Sequence, residues 1–256
     1  MKRVLTAAAL IPVVVYVVLW ANAWIFLAVL FTAAFLCWRE YDGIAGAYGF
    51  GEPGLIGAAA GYVLMAWPGE TWLYLTVLAL AALALAMRAD DLAKSLPRAA
   101  LLLTGVVYVF GAWKCAIPLR EMNPHWLMYG LIVSWTGDIG AYYVGRKFGK
   151  HRLAPRVSPN KSWEGAAASV VSSVIISGAY LWKFVPGMTV ALAVGITVAA
   201  NIAGQFGDLA ESAMKRGAGV KDSGTILPGH GGFLDRVDST LFALPVILAY
   251  LRLVGA

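Results

Sequence analysis

Charge is what this chain has least of. Asp, Glu, Lys and Arg make up 13% of its 256 residues against 60% hydrophobic residues, too little polar surface to cover a soluble globule of this size. Cysteine is scarce as well. Cys37 and Cys115 are the only two, both fall in apolar runs, and they suit packing, with neither a disulfide framework nor metal-ligand spacing. With 3 histidines in the whole chain, a zinc centre has almost no ligands to draw on. Also missing are internal repeats, low-complexity tracts and any polar linker long enough to separate soluble domains. Acidic residues are fewer than basic ones, giving a formal net charge of +6. In a soluble protein that would point to nucleic acid; here membrane orientation and attraction to anionic lipid heads account for it, and no nucleic-acid partner is expected.

What the chain has in quantity is hydrocarbon. Its mean hydropathy is +0.73, and apolar runs of membrane-crossing length recur throughout. They fall at Val4 to Ala21, Ala23 to Trp38, Gly54 to Trp67, Trp72 to Met87, Ala99 to Pro118, His125 to Gly145, Gly165 to Val185, Met188 to Gly207 and Ser239 to Val254. The expected fold is all-α: a polytopic integral membrane protein with about nine transmembrane helices. If the N-terminus, with Lys2 and Arg3, is cytoplasmic, nine crossings gather all of the 20 Lys and Arg residues on that side except Lys114, Arg120, Lys183 and Arg252. The positive-inside rule favours that topology. Ala21-Asn22-Ala23 resembles a signal-peptidase site, but the preceding apolar run is long for a signal sequence, so cleavage is not expected.

The polar residues divide the chain. Residues 1–118 are nearly pure hydrocarbon and read as a transmembrane scaffold; the one polar stretch, Arg39 to Pro53, reads as a charged, flexible cytoplasmic turn. Residues 119–256 form the expected catalytic region, with cytoplasmic loops at 146–164 and 208–238. Asp138 lies inside an apolar helix, where a carboxylate is costly unless it faces a cavity or a partner. Asn201, Gln205 and Asp208, then Ser212 and Lys215, fall on one helical face if the eighth helix continues, a stripe from apolar depth to the surface. Ser158-Pro159-Asn160-Lys161-Ser162 reads as a turn feeding Trp163-Glu164-Gly165 at a helix start.

The segment from Ser212 to Asp238 concentrates the chemistry. Lys215, Arg216 and Lys221 are phosphate-binding residue types crowded beside aspartates. Gly231 and Gly232 permit close backbone approach. Asp235 and Asp238, spaced i, i+3, can turn carboxylates toward one cation, and oxygen-only ligands suit Mg²⁺. His230, a lone imidazole, reads first as a structural hydrogen-bonding group.

This segment reads S-x-M-K-R-x4-K-D-x-G-x2-L-P-x-H-G-G-F-x-D-R-V-D, and with GDIGAYYVGRKFGKHRLAPRVSPNKSWEG and QFGDLAES upstream it resembles the phosphatidate cytidylyltransferases, or CDP-diacylglycerol synthases. The resemblance covers roughly Ser134 to Asp238; the N-terminal half is similar in hydropathy alone. It implies an enzyme that joins CTP to phosphatidic acid, giving CDP-diacylglycerol and pyrophosphate for phospholipid biosynthesis. It further implies Mg²⁺ dependence, K⁺ as a second ion, a homodimer among membrane lipids, and a bacterial inner-membrane location with the active site facing the cytoplasm. By position, Asp208, Asp235 and Asp238 would hold the metal and, with Lys215, form the catalytic group. The substrate-binding set would be Asp138, Ser158, Lys161, Ser212, Arg216, Lys221, Asp222, His230, Gly231, Gly232 and Arg236.

Three rival readings account for the residues less well, and the second is set aside. A CTP-dependent lipid kinase would share the nucleotide site but needs a base for a hydroxyl acceptor. A CDP-alcohol phosphotransferase would need an arginine and spaced aspartates after Asp42-Gly43, and they do not follow. An anion transporter would explain Asp138 and Asn201 but not a glycine-framed aspartate pair beside clustered lysines.

Overall fold

The computed structural model describes residues 2–226 and 231–255, with side chains from Leu10 onward. Among the described residues the chain forms nine helices. They are α1 (Lys2–Leu19), α2 (Ala23–Ala47), α3 (Gly54–Ala66), α4 (Thr71–Ala86), a nearly continuous helical run α5 (Leu92–Met122), α6 (Pro124–Phe148), α7 (Trp163–Phe184), α8 (Val190–Gly217) and α9 (Asp238–Val254). Each expected apolar run becomes one helix, and several start with conventional caps: Asn22 accepts from the N–H of Ile25, Pro124 follows the Asn123 cap, and Thr189 accepts from Leu192.

This is an all-α membrane protein. Four helices, Ala23–Ala47, Leu92–Met122, Trp163–Phe184 and Val190–Gly217, are long and apolar enough to cross a bilayer, and three shorter apolar helices accompany them. The outer surface carries large apolar side chains in the open, such as Trp24 at 82% and Leu55 at 87% exposure, which lipid tolerates and water does not. Inside, Trp38, Tyr41 and Phe110 are almost fully buried. Phe110 comes so close to α3 that any side chain in place of Gly61 would strike its ring. A π-helical stretch, Val106–Gly111, sits in α5 at this aromatic contact.

Two of the cations that the charge count leaves off the basic face are structural. Lys114 donates to the carbonyls of Leu64 (2.9 Å) and Trp67 (2.8 Å) at the end of α3. Arg120 donates to Val18 (2.9 Å) and Ala21 at the end of α1 and lies over the Phe26 ring. Each adds a donor to carbonyls at a helix C-terminus, where positive charge is favoured.

The structure corrects the sequence reading in two places. Arg39–Ala47, expected as part of a flexible turn, is the last part of α2, and Glu40, Tyr41, Ile44 and Ala45 are buried there. The helical period continues past the apolar run, so the segment is packed. The stretch expected as a turn before α7 pairs instead as a short antiparallel hairpin, β1 (Arg152–Ala154) with β2 (Ser158–Ser162). Its base is closed by Glu164, which accepts from the N–H groups of Lys150 and His151 and pairs with the His151 ring at 2.6 Å. Ser162 ends the hairpin and caps α7, accepting from Gly165. Helices α6 to α9 pack against one another, and the hairpin lies at their polar end.

Candidate active site

Helix α8 is the spine of the site. It runs unbroken from Val190 to Gly217, so the proposed stripe from Asn201 to Lys215 does lie on one helix. At its deep end the amide of buried Asn201 donates to Ser169 Oγ (3.0 Å) and Ser173 Oγ (2.9 Å), and Gln205 donates to Asn201 Oδ1 (2.7 Å). Helix α6 approaches this network through Gly137, where a Cβ would lie 2.6 Å from Asn201 Nδ2. A cavity of about 10 Å³ between the helices is lined by Ser134, Asp138, Ser169, Asn201, Gln205 and Ser239. Asn201, Gln205, Ser169 and Ser173 bond to one another along this seam, which is how a polar row is tolerated among apolar helices.

Toward the surface, charge replaces amides and hydroxyls. Lys161, brought in by β2, pairs with Asp208 at 2.5 Å, and Ser212 reaches the same carboxylate at 3.4 Å. Lys215 is buried at 7% exposure; its ammonium meets Glu211 at 3.0 Å and also the carboxylate of Asp235. Asp235 sits in a single 3₁₀ turn, Leu234–Arg236, and its second oxygen accepts from the N–H groups of Ser223 (3.0 Å) and Gly232 (2.9 Å). Burial pushes the Asp235 carboxyl up, but Lys215 and these N–H groups more than offset it and hold it below its ordinary range. Asp238 opens α9, buried, accepting from the N–H of Ser239. Asp138 lies on α6 in the lining of the same cavity as Asn201, Gln205 and Ser239, the last of which is next to Asp238 in sequence.

The glycines serve the loop's own packing. Gly231 takes a positive φ of 79°, and a side chain at Gly232 would strike Ser223 and Glu40. The N–H groups of Gly232, Phe233 and Leu234 are all taken by protein carboxylates. These three N–H groups are therefore not free to take an anion.

Several expected residues stand further out. Arg216 is exposed and donates to the carbonyl of Val220 beyond the helix end. Lys221 and Asp222 are exposed, Asp222 lying beside Gly231. Ser158 pairs with Ala154 in the hairpin. His230 lies outside the described residues.

Two residues escaped the sequence reading. Glu211 is fully buried, three positions after Asp208 and four before Lys215, and that spacing was its signal. Glu40, from α2, is buried at 5% exposure; it accepts from Phe233 N (2.8 Å), Leu234 N (2.7 Å) and Ser223 Oγ (2.8 Å). The supposed scaffold half therefore reaches into the polar end.

The donor set fits a hard divalent cation in its chemistry: it is all oxygen, carboxylates outnumber the cations beside them, and Glu211 Oε1 is buried without a hydrogen-bond partner. Among the described residues, no three acidic, His or Cys side chains already enclose such an ion. Lys161 and Lys215 each hold one of the carboxylates concerned.

An apolar helical bundle closed at one end by lysine–carboxylate pairs defines a membrane protein with a charged candidate site at that end. The chain belongs to the Cytidylyltransferase family, whose profile it matches over residues 1–254. Similar proteins include the phosphatidate cytidylyltransferases of Staphylococcus aureus (strain COL) and Staphylococcus haemolyticus (strain JCSC1435), each 43% identical over 149 residues, covering 58% of this chain and 57% of the relative. That of Bacillus subtilis (strain 168) is 40% identical over 151 residues, covering 57% and 56%. The matched stretch thus spans a little over half the length of these relatives.

Proposed function

We propose that this protein transfers the cytidylyl group of CTP to phosphatidic acid, giving CDP-diacylglycerol and pyrophosphate. The observation that carries the reading is the pair of buried or half-buried ion pairs, Lys161 with Asp208 and Lys215 with Asp235, at the polar end of an apolar bundle. One substrate carries acyl chains and the other a triphosphate, so the reaction needs a site where lipid meets water. The relatives' shared name supports the same chemistry.

A phosphate oxygen of phosphatidate attacks the α-phosphorus of CTP; the bond from that phosphorus to the bridging oxygen breaks, and pyrophosphate leaves with the electron pair. The attacking phosphate is already largely ionised at neutral pH, so no strong base is needed, and catalysis is positioning and charge stabilisation. Phosphates arriving between the two ion pairs compete for Lys161 and Lys215, which releases Asp208 and Asp235. The chemistry a bound Mg²⁺ supplies is neutralisation of phosphate charge and easier departure of pyrophosphate, with Asp208, Asp235 and Asp238 as the residues that would hold it. Lys215 stays within reach of the same phosphates, anchored by Glu211.

The reading includes nine crossings with the N-terminus and the site on the cytoplasmic face of a bacterial inner membrane, and a homodimer. The clustering of basic residues on one side supports that orientation. A cysteine placed at Lys183 is expected to react with an impermeant reagent from the outer face; labelling from the cytoplasmic face alone would overturn the topology. For the reaction itself, CTP labelled in the base and incubated with phosphatidate in detergent micelles is expected to give lipid-soluble cytidine. Label remaining wholly in the aqueous phase would contradict it.

A further inference from the structure

We infer that Glu40 is a positioning residue for this site: from α2 it holds the Gly232–Asp235 turn in the one arrangement that aims Asp235 at Lys215 and starts α9 at Asp238. The inference rests on the transfer reaction proposed above for its activity readout, but the contact itself is geometric.

Among the described residues beyond α8 there is no helix until the short turn at Leu234–Arg236. What fixes that turn is two carboxylates and one hydroxyl. Glu40 takes the N–H groups of Phe233 and Leu234 and the hydroxyl of Ser223; the Ser223 oxygen in turn accepts from Asp235 N at 3.3 Å, and Ser223 N donates to Asp235. Ser223 is thus the link between the two carboxylates. Two successive backbone N–H groups pointing at one anion form a nest that a carboxylate fills well.

Glu40 is held firmly on its own side. Its neighbours Cys37, Trp38 and Tyr41 are each no more than 2% exposed, and the Tyr41 hydroxyl donates to the carbonyl of Leu101 at 2.8 Å. The loop is shaped around this carboxylate. A Cβ at Gly224 would come within 2.6 Å of Glu40 Oε1, and one at Gly232 would strike Glu40 Oε2 as well as Ser223. Two glycines of the loop are therefore required by Glu40, a residue about 190 positions earlier in the chain.

Glu40→Gln keeps the shape but turns an amide NH₂ toward donors, whichever way the amide is placed. In purified, detergent-solubilised protein we expect kcat for cytidylyl transfer to fall about 100-fold, the cost of misplacing a catalytic group by about 1 Å. KM for phosphatidate should be nearly unchanged, and the protein should remain folded by thermal melting. Glu40→Asp, which keeps the charge but is one methylene short, should recover part of the rate. Hydrogen exchange at Phe233 and Leu234 should accelerate in Glu40→Gln while the amides of α8 stay protected. That measurement needs no turnover, so a wild-type protein that fails to transfer cytidylyl refutes the reaction and leaves the clamp to be judged by exchange. If Glu40→Gln does not fold, Ser223→Ala, which removes one of the three donors, should still fold and lose about tenfold in kcat. Unchanged exchange at 233 and 234, a near-normal kcat in the folded variant, or activity that merely tracks the folded fraction across the series would overturn the inference.

Discussion

Asp235→Asn is expected to abolish turnover while leaving the protein folded. One oxygen of this carboxylate meets Lys215 and the other accepts from Ser223 N and Gly232 N, so every acceptor it has is in use. An amide in its place must turn its NH₂ either toward the Lys215 ammonium or toward two N–H donors. Both orientations set donor against donor. The substitution also removes a negative charge from a place where we propose a divalent cation is held. We expect a loss on the order of 10³-fold in kcat/KM, comparable with removing a main electrostatic group from an active site, and a stability cost of about 1–3 kcal/mol for the unsatisfied groups. Initial rates over a Mg²⁺ series, with melting curves on the same preparations, check both parts. Near-normal, Mg²⁺-dependent activity would show that this carboxylate is not a metal ligand.

Lys215→Ala is expected to be nearly as damaging, and its neighbour Arg216→Ala nearly silent. Lys215 is the cation that Glu211 and Asp235 share, in a place where Glu211 has no exposure at all. Removing it leaves two carboxylates buried without a counter-charge, and breaking a buried pair from one side costs about 3–5 kcal/mol. If that ammonium also contacts the triphosphate, the KM for CTP rises and kcat falls together. Arg216 lies one position on, about 100° around an ideal helix, exposed, and donates to a loop carbonyl; its loss should change activity and stability by no more than about 0.5 kcal/mol. Kinetics over a CTP series on both variants decides the matter. A crippled Arg216→Ala beside a normal Lys215→Ala would remove Lys215 from the site.

Most of the helical framework could be read in the chain because an apolar run bounded by Asn, Thr or Pro leaves few alternatives inside a membrane. The stripe from Asn201 to Lys215 was legible for the same reason: a single periodicity of 3.6 continues through it. What could not be read depends on partners far away in sequence. Glu40 follows an apolar helix among charged and glycine-rich residues, which is how a loop looks, and its partners lie 183 to 194 positions later. Glu211 did leave a signal, its i, i+4 spacing from Lys215, but that spacing alone does not distinguish a buried pair from one on a helix surface. The hairpin before α7 was missed because its strands are three and five residues long and β2 contains Pro159, a residue that usually marks a turn or an edge. The aspartates were legible as residue types, but their partners were not: Asp235 pairs with Lys215 and accepts from Ser223 and Gly232, and Asp238 accepts from Ser239.

The most direct test follows the phosphorus atoms. Purified protein in mixed micelles containing phosphatidate and Mg²⁺ is given CTP labelled at the α-phosphate in one tube and at the γ-phosphate in another. Attack at the α-phosphorus predicts that α-label enters the lipid phase and γ-label appears in pyrophosphate, in equal amounts and with matched loss of both in Asp235→Asn. Entry of γ-label into lipid, with the α-label left in soluble nucleotide, would contradict cytidylyl transfer and make the site that of a kinase.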